Sequence, residues 1–153
     1  MSGAEDRELI RELIAQTGRL IDAREFGAYV ACYTESAHYL LEADSAELGQ
    51  RMTWLDMPRD ELQALLEESP DHVHDLAERL HQITLDEIAL DEETAKALST
   101  FSVFRTDPAG VTEVYAVGQY EDELVKENDG WVIKTRRVLV KTRMFRTPTP
   151  MPL

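Results

Sequence analysis

Residues 111 to 145 read VTEVYAVGQYEDELVKENDGWVIKTRRVLVKTRMF, two long alternating runs joined at Asn128-Asp129-Gly130. Period two over such a length means strand, and the Asp-Gly between the runs supplies the positive φ of a tight hairpin turn. In the first run Val114, Ala116, Gly118, Tyr120 and Leu124 share one face, while Tyr115, Val117, Gln119, Glu121 and Val125 share the other. In the second, Trp131, Ile133, Thr135, Arg137 and Leu139 alternate with Val132, Lys134, Arg136, Val138 and Val140. Neither face is purely polar. Both are therefore expected to touch something, a core on one side and a partner or loops on the other.

The rest of the chain leads up to this hairpin. Over residues 4 to 23 the apolar positions Leu9, Ile10, Leu13, Ile14, Leu20 and Ile21 fall at helical spacings, with acids early and Arg19 late, which predicts an amphipathic helix. Phe26, Tyr29, Val30 and Tyr33 continue a second helical face. Residues 38 to 41 form a short apolar strand candidate, 42 to 50 a loop, and 51 to 57 a second short strand holding Trp54. Pro58 then opens a helix whose Leu62, Leu65 and Leu66 share a face and which Ser69-Pro70 should end. Residues 70 to 80 are polar, a connecting loop or short helix.

From His81 onward the pattern is that of a sheet. Residues 81 to 90 alternate, slip phase near Glu87 and resume, as a bulged strand does. Residues 95 to 105 form the next strand, and Asp107-Pro108-Ala109-Gly110 turns the chain into the hairpin. The tail from 147 to 153 carries three prolines, so it is expected to be extended and to add no central strand. Helices followed by consecutive antiparallel strands predict an α+β architecture, a cone-shaped curved antiparallel sheet packed against N-terminal helices, as one domain over residues 1 to 153.

Composition narrows the function. With 16 basic and 30 acidic residues the net charge is −14, which repels phosphate backbones and anionic lipid, so neither nucleic acid nor membrane is an expected partner. No apolar run reaches the roughly 20 residues of a membrane span, and the N-terminus lacks a basic region followed by an apolar one, so a cytoplasmic location is expected. The single cysteine, Cys32, sits among Tyr29, Val30 and Tyr33 and reads as a buried free thiol. His72 and His74, with Asp71 or Asp75 as a third donor, offer no ordered ligand frame, and no metal site is expected there.

Five stretches carry a resemblance. Residues 20 to 39 (LIDAREFGAYVACYTESAHY), 51 to 62 (RMTWLDMPRDEL), 78 to 88 (ERLHQITLDEI), 99 to 105 (STFSVFR) and 118 to 143 (GQYEDELVKENDGWVIKTRRVLVKTR) occur in the order found in the nuclear transport factor 2-like, or cystatin-like, superfamily. Their wording resembles one branch, the small (beta) subunit of aromatic-ring-hydroxylating dioxygenases. That resemblance implies a non-catalytic subunit that holds large (alpha) subunits together. The Rieske iron-sulfur cluster and mononuclear iron would lie in the large partner, since one cysteine cannot supply a two-Cys, two-His cluster ligand set. Arg136, Arg137 and Arg143 would then be interface residues. Self-association as a dimer or trimer is expected in any case, because a two-faced sheet buries well against a copy of itself.

Stand-alone relatives in the same superfamily, the SnoaL-like lyases, isomerases and cyclases, imply a second reading. Several pair an aspartate at the end of the first helix with a histidine at the start of a strand, and Asp22 and His81 match those positions. A carboxylate that accepts the Nδ1 proton fixes the tautomer and leaves Nε2 to take a proton from substrate, with no cofactor. Tyr33, Tyr39, Trp54, Tyr115 and Tyr120 would line a pocket for a hydrophobic small molecule. The structural alternative has Asp22 capping the second helix and His81 hydrogen-bonded at a strand end, with His38 near a pocket mouth or an interface.

Overall fold

The structure is a computed structural model that describes residues 2–72, 75–128, 130–145 and 151–153, with residues 70–72 described by their backbone alone. The elements run α1 (Gly3–Asp22), α2 (Phe26–Val30), β1 (Tyr33–Ser45), β2 (Gln50–Pro58), α3 (Arg59–His72), β3 (Glu78–Leu90), β4 (Thr94–Thr106), β5 (Thr112–Glu127) and β6 (Gly130–Val140). The six strands form one sheet in the order β2-β1-β6-β5-β4-β3. All neighbours are antiparallel except β1 and β6, which pair in parallel. The expected curved antiparallel sheet is present, with one parallel pair where β1, a 13-residue strand in place of the expected short one, lies beside the last strand of the chain.

Helix α1 starts on a capping box in which the Ser2 hydroxyl and the Glu5 carboxylate each accept from the other's backbone N–H. Its buried stripe, Ile10, Ile14, Leu20 and Ile21, faces β3 and β6 across the concave side of the sheet, while Leu62 and Leu66 of α3 close the side over β1. Burying each such leucine or isoleucine contributes about 2 kcal/mol. A further tie, Asp6, accepts from the indole Nε1 of Trp131 at 2.9 Å and pairs with Lys126 at 2.8 Å, fastening the start of α1 to the final hairpin.

Bulges decide which side chains enter the cone. The phase slip expected near Glu87 is present, between Leu85 and Glu87. A second bulge at Tyr115 turns both Tyr115 and Ala116 inward, and a third at Trp54 sets that residue between Leu55 and Thr53 on edge strand β2. A fourth, at Lys134, reverses the parity of β6: Trp131 and Ile133 point inward, and past the bulge so do Arg136, Val138 and Val140. Asn128 takes the left-handed conformation of the β5–β6 turn, φ 48°, a role expected of the Asp-Gly pair; Asp129 lies outside the described residues.

Of the tail, residues 151–153 are described, and they form neither helix nor strand. Met151 and Leu153 are buried against the cone, and Tyr39 Oη both accepts from Leu153 N at 3.1 Å and donates to Leu153 O at 3.4 Å. Residues 146 to 150 are outside the described set. Among the described residues, no helix is long and apolar enough to cross a membrane.

Candidate functional site

Two acid–base pairs occupy the concave side of the sheet, one deep and one at the mouth. The deep pair is Arg136 and Asp122, each 1% exposed. Arg136 donates from Nε and Nη2 to the two Asp122 carboxylate oxygens at 2.9 Å each, and from Nη1 to Thr17 Oγ1 at 3.0 Å. Its guanidinium lies 4.1 Å from the Tyr120 ring centroid, and Tyr120 stacks on Phe101 at 4.5 Å. Burial works against the arginine's charge, but Asp122 beside it holds the guanidinium pKa above its ordinary value. Burial raises the Tyr33, Tyr39 and Tyr120 phenols as well, so all three stay neutral. Gly118 makes room for this stack: a Cβ there would run into the Leu139 carbonyl oxygen and come within 2.9 Å of the Phe101 ring.

Tyr33, Tyr39 and Tyr120, expected as pocket walls, are therefore packed side chains of a filled interior. Tyr33 shares a 2.8 Å hydrogen bond with Tyr29, and Tyr39 is held by Leu153. Arg136, expected at an interface, is a core ion pair, because the Lys134 bulge turned it inward and Arg137 outward. Arg137 does lie on the outer face, where it donates to Glu42 at 2.8 Å within a network joining Arg51, Asp44 and Glu121. Arg143 lies exposed past the end of β6. Trp54, expected as pocket wall, is 39% exposed on the edge of the sheet beside exposed Met52 and Leu55. His38 also belongs outside the cone, half-exposed and paired with Asp56 at 3.0 Å.

The mouth pair is Asp22 and His81. Asp22, the last residue of α1, accepts from His81 Nδ1 through Oδ1 at 2.6 Å and from the His81 backbone N–H through Oδ2 at 2.7 Å. Close approach of α1 to β3 makes this contact, and Gly18 permits it, since a Cβ there would stand 2.9 Å from Ile83 Cδ1 and 3.2 Å from His81 Cβ. Asp22 does not cap α2, whose N-cap Glu25 has no side-chain hydrogen bond. The His81 side chain is 3% exposed, and its Nε2 is buried with no hydrogen-bond partner.

Around the mouth lies a third group that sequence reasoning missed. Asp75 accepts from Arg105 Nη2 at 2.6 Å and Nε at 3.0 Å, and from Arg79 at 3.4 Å; Arg79 in turn lies 4.5 Å over the Tyr115 ring. Tyr115 thus lines a cation contact and packs on Phe145. Hydrogen bonds from Arg105 hold the Asp75 carboxyl down to about 2. Asp75, considered as a metal donor, is committed to two arginines. Asp71 and His72 fall in the last turn of α3, but their side chains, like His74, lie outside the described residues. Cys32 is buried, its thiol directed at Ala28 O. Among the described residues no group of three or more His, Cys, Asp or Glu could hold a metal, and with one cysteine in the chain the donors do not fit a Rieske ligand set.

A helical layer against a six-stranded bulged sheet, with an Asp–His pair at the mouth, is accompanied by a match of residues 2–137 to the SnoaL-like domain. The chain belongs to the SnoaL-like family. This member is 26% identical over 155 residues to the beta subunit of 2-aminobenzenesulfonate 2,3-dioxygenase from an Alcaligenes species, covering 97% of this chain and 99% of that one. It is also 26% identical over 156 residues to the beta subunit of the methanesulfonate monooxygenase hydroxylase of Methylosulfonomonas methylovora, covering 95% and 86%. Among solved structures it resembles the beta subunit of a candidate aromatic-ring-hydroxylating dioxygenase from Novosphingobium aromaticivorans, with a TM-score of 0.77, 16% identity and 90% of each chain covered. The NTF2-like fold implied by the resemblance is thus shown, and dioxygenase and monooxygenase beta subunits are among this SnoaL-like chain's relatives.

Proposed function

We propose that this SnoaL-like protein is a non-catalytic beta subunit, or beta-subunit-like partner, of a ring-hydroxylating oxygenase. The observation that carries the reading is the filled cone. Arg136, Asp122, Tyr120, Phe101 and Tyr39 pack the deep interior, and His81, although it lines the cavity at the mouth, has its Nε2 buried. End-to-end likeness to two oxygenase beta subunits supports the same conclusion. Because this chain's donors do not fit a Rieske cluster, the redox centres belong to a large alpha partner. The partner surface is the outer side of the sheet, where edge strand β2 exposes Met52, Trp54 and Leu55 beside the Arg51–Arg137 ion network.

One observation favours a second reading. A histidine whose Nδ1 is held by a carboxylate and whose Nε2 lacks any partner has the form of a general base. It would serve a cofactor-independent lyase, isomerase or cyclase if the cone opened. His81→Ala separates the two. The subunit reading predicts oxygenase turnover per assembled complex within about twofold of wild type, with assembly or stability alone affected. Loss of an isomerase or lyase activity by the isolated chain, with its circular dichroism spectrum intact, would establish the second reading instead.

A further inference from the structure

The cavity at the mouth, about 600 Å³, is lined by Arg19, Arg24 and Arg79 together with apolar Ile21, Leu76 and Leu80. Its volume is within the range of small-molecule sites. Three of the chain's 16 basic residues meet here although the protein carries a net charge of −14. The opposing acids are Asp22 and Glu78. Asp22 is engaged by the two N–H groups of His81, and Arg79 is engaged by Asp75. Arg19 and Arg24 have no ion-pair partner among the described residues and are exposed. Glu78 is exposed and likewise has no ion-pair partner among the described residues, so the unpaired charge of the cavity, two arginines against one carboxylate, is net positive.

Arg24 is held in an unusual way. It occupies the left-handed position after α1, φ 58°, closed by hydrogen bonds from Arg24 N to Ile21 O at 3.2 Å and from Glu25 N to Leu20 O at 2.9 Å. That is the helix-ending motif in which glycine is the usual residue, since a side chain there costs conformational energy. The chain bears that cost and gains a guanidinium at the cavity rim.

We propose that this cavity is a binding site for an organic anion, a carboxylate or sulfonate on an apolar body. Arg19 and Arg24 meet the acid group, and Ile21, Leu76 and Leu80 cover the body. An arginine fork suits the planar geometry of a carboxylate and the oxygens of a sulfonate alike. The site does not depend on partnership with a large subunit, and its test uses the isolated chain.

The probe is 2-naphthoate, with neutral 2-naphthamide as control, titrated calorimetrically into the full chain at low ionic strength. Expected is saturable binding of the acid at least tenfold tighter than the amide, weakening as salt is raised. Arg24→Gly keeps the backbone conformation while removing the charge, and should weaken binding about fivefold; Arg19→Gln with Arg24→Gly should weaken it about thirtyfold or more. Both residues are exposed, so folding is retained and is checked by the unfolding midpoint. Equal affinity for acid and amide, binding unchanged in the double variant, or no binding of 2-naphthoate at millimolar concentration would each overturn the proposal.

Discussion

Asp122–Arg136 and Asp22–His81 are two acid–base pairs on the same concave face, built from similar chemistry and set to opposite uses. The deep pair is closed on itself: Arg136 has three hydrogen bonds and an aromatic face, and Asp122 accepts two of those bonds. The mouth pair is half closed, with Asp22 satisfied and His81 Nε2 unpartnered, and it borders a cavity whose free charges are two arginines and Glu78. A buried pair in which every guanidinium nitrogen and both carboxylate oxygens have a partner holds the fold. A pair beside open, unanswered charge can still respond to a ligand or a partner.

Breaking the deep pair should have the largest effect. Arg136→Met leaves the Asp122 carboxylate buried without its partner and should cost about 3–5 kcal/mol in urea unfolding, whereas Arg136→Met with Asp122→Leu should recover most of the loss. A double variant as unstable as the single would contradict the pairing. Gly118→Ala should cost about 1–3 kcal/mol, because the added methyl meets backbone and the Phe101 ring with nowhere to move.

The Asp75 cluster sharpens the contrast through pH. Its folded pKa, about 2, is depressed below the ordinary 3.8 by the Arg105 hydrogen bonds. The stabilisation is fully present above the ordinary value and is lost as pH falls from about 4 through 2. It is of order 2 kcal/mol. Unfolding free energies measured across that window should fall less steeply in Asp75→Asn. The smallest expected effect is at the mouth: Arg24→Gly should stabilise the fold by about 0.5–1 kcal/mol while losing anion affinity, a sign opposite to every interior change.

What the sequence made legible was pattern that repeats. Helix α1, the β5–β6 hairpin and the Glu87 bulge follow from periodicity, and Asp22 and His81 meet as the resemblance implied. Misassigned residues trace to single-residue irregularities with no periodic signature. The Lys134 bulge exchanged the faces of Arg136 and Arg137, and one at Trp54 left that residue on a sheet edge. Strand β1 was read as short because Tyr33 continues the helical spacing of Phe26, Tyr29 and Val30, and the exposed pair Glu35 and Ser36 breaks the apolar pattern before Ala37. Arg24 carried a signal, an arginine directly after a helix-ending Asp-Ala where glycine is customary, but it gains meaning only once the mouth cavity is seen.

The most direct test of the account is the composition of the complex isolated from native cells at natural abundance. The account predicts that a large chain bearing a Rieske centre and mononuclear iron co-purifies in a fixed ratio, and that Trp54→Glu on β2 disrupts the association. A homo-oligomer of this chain alone, with lyase or isomerase turnover abolished by His81→Ala, would contradict it.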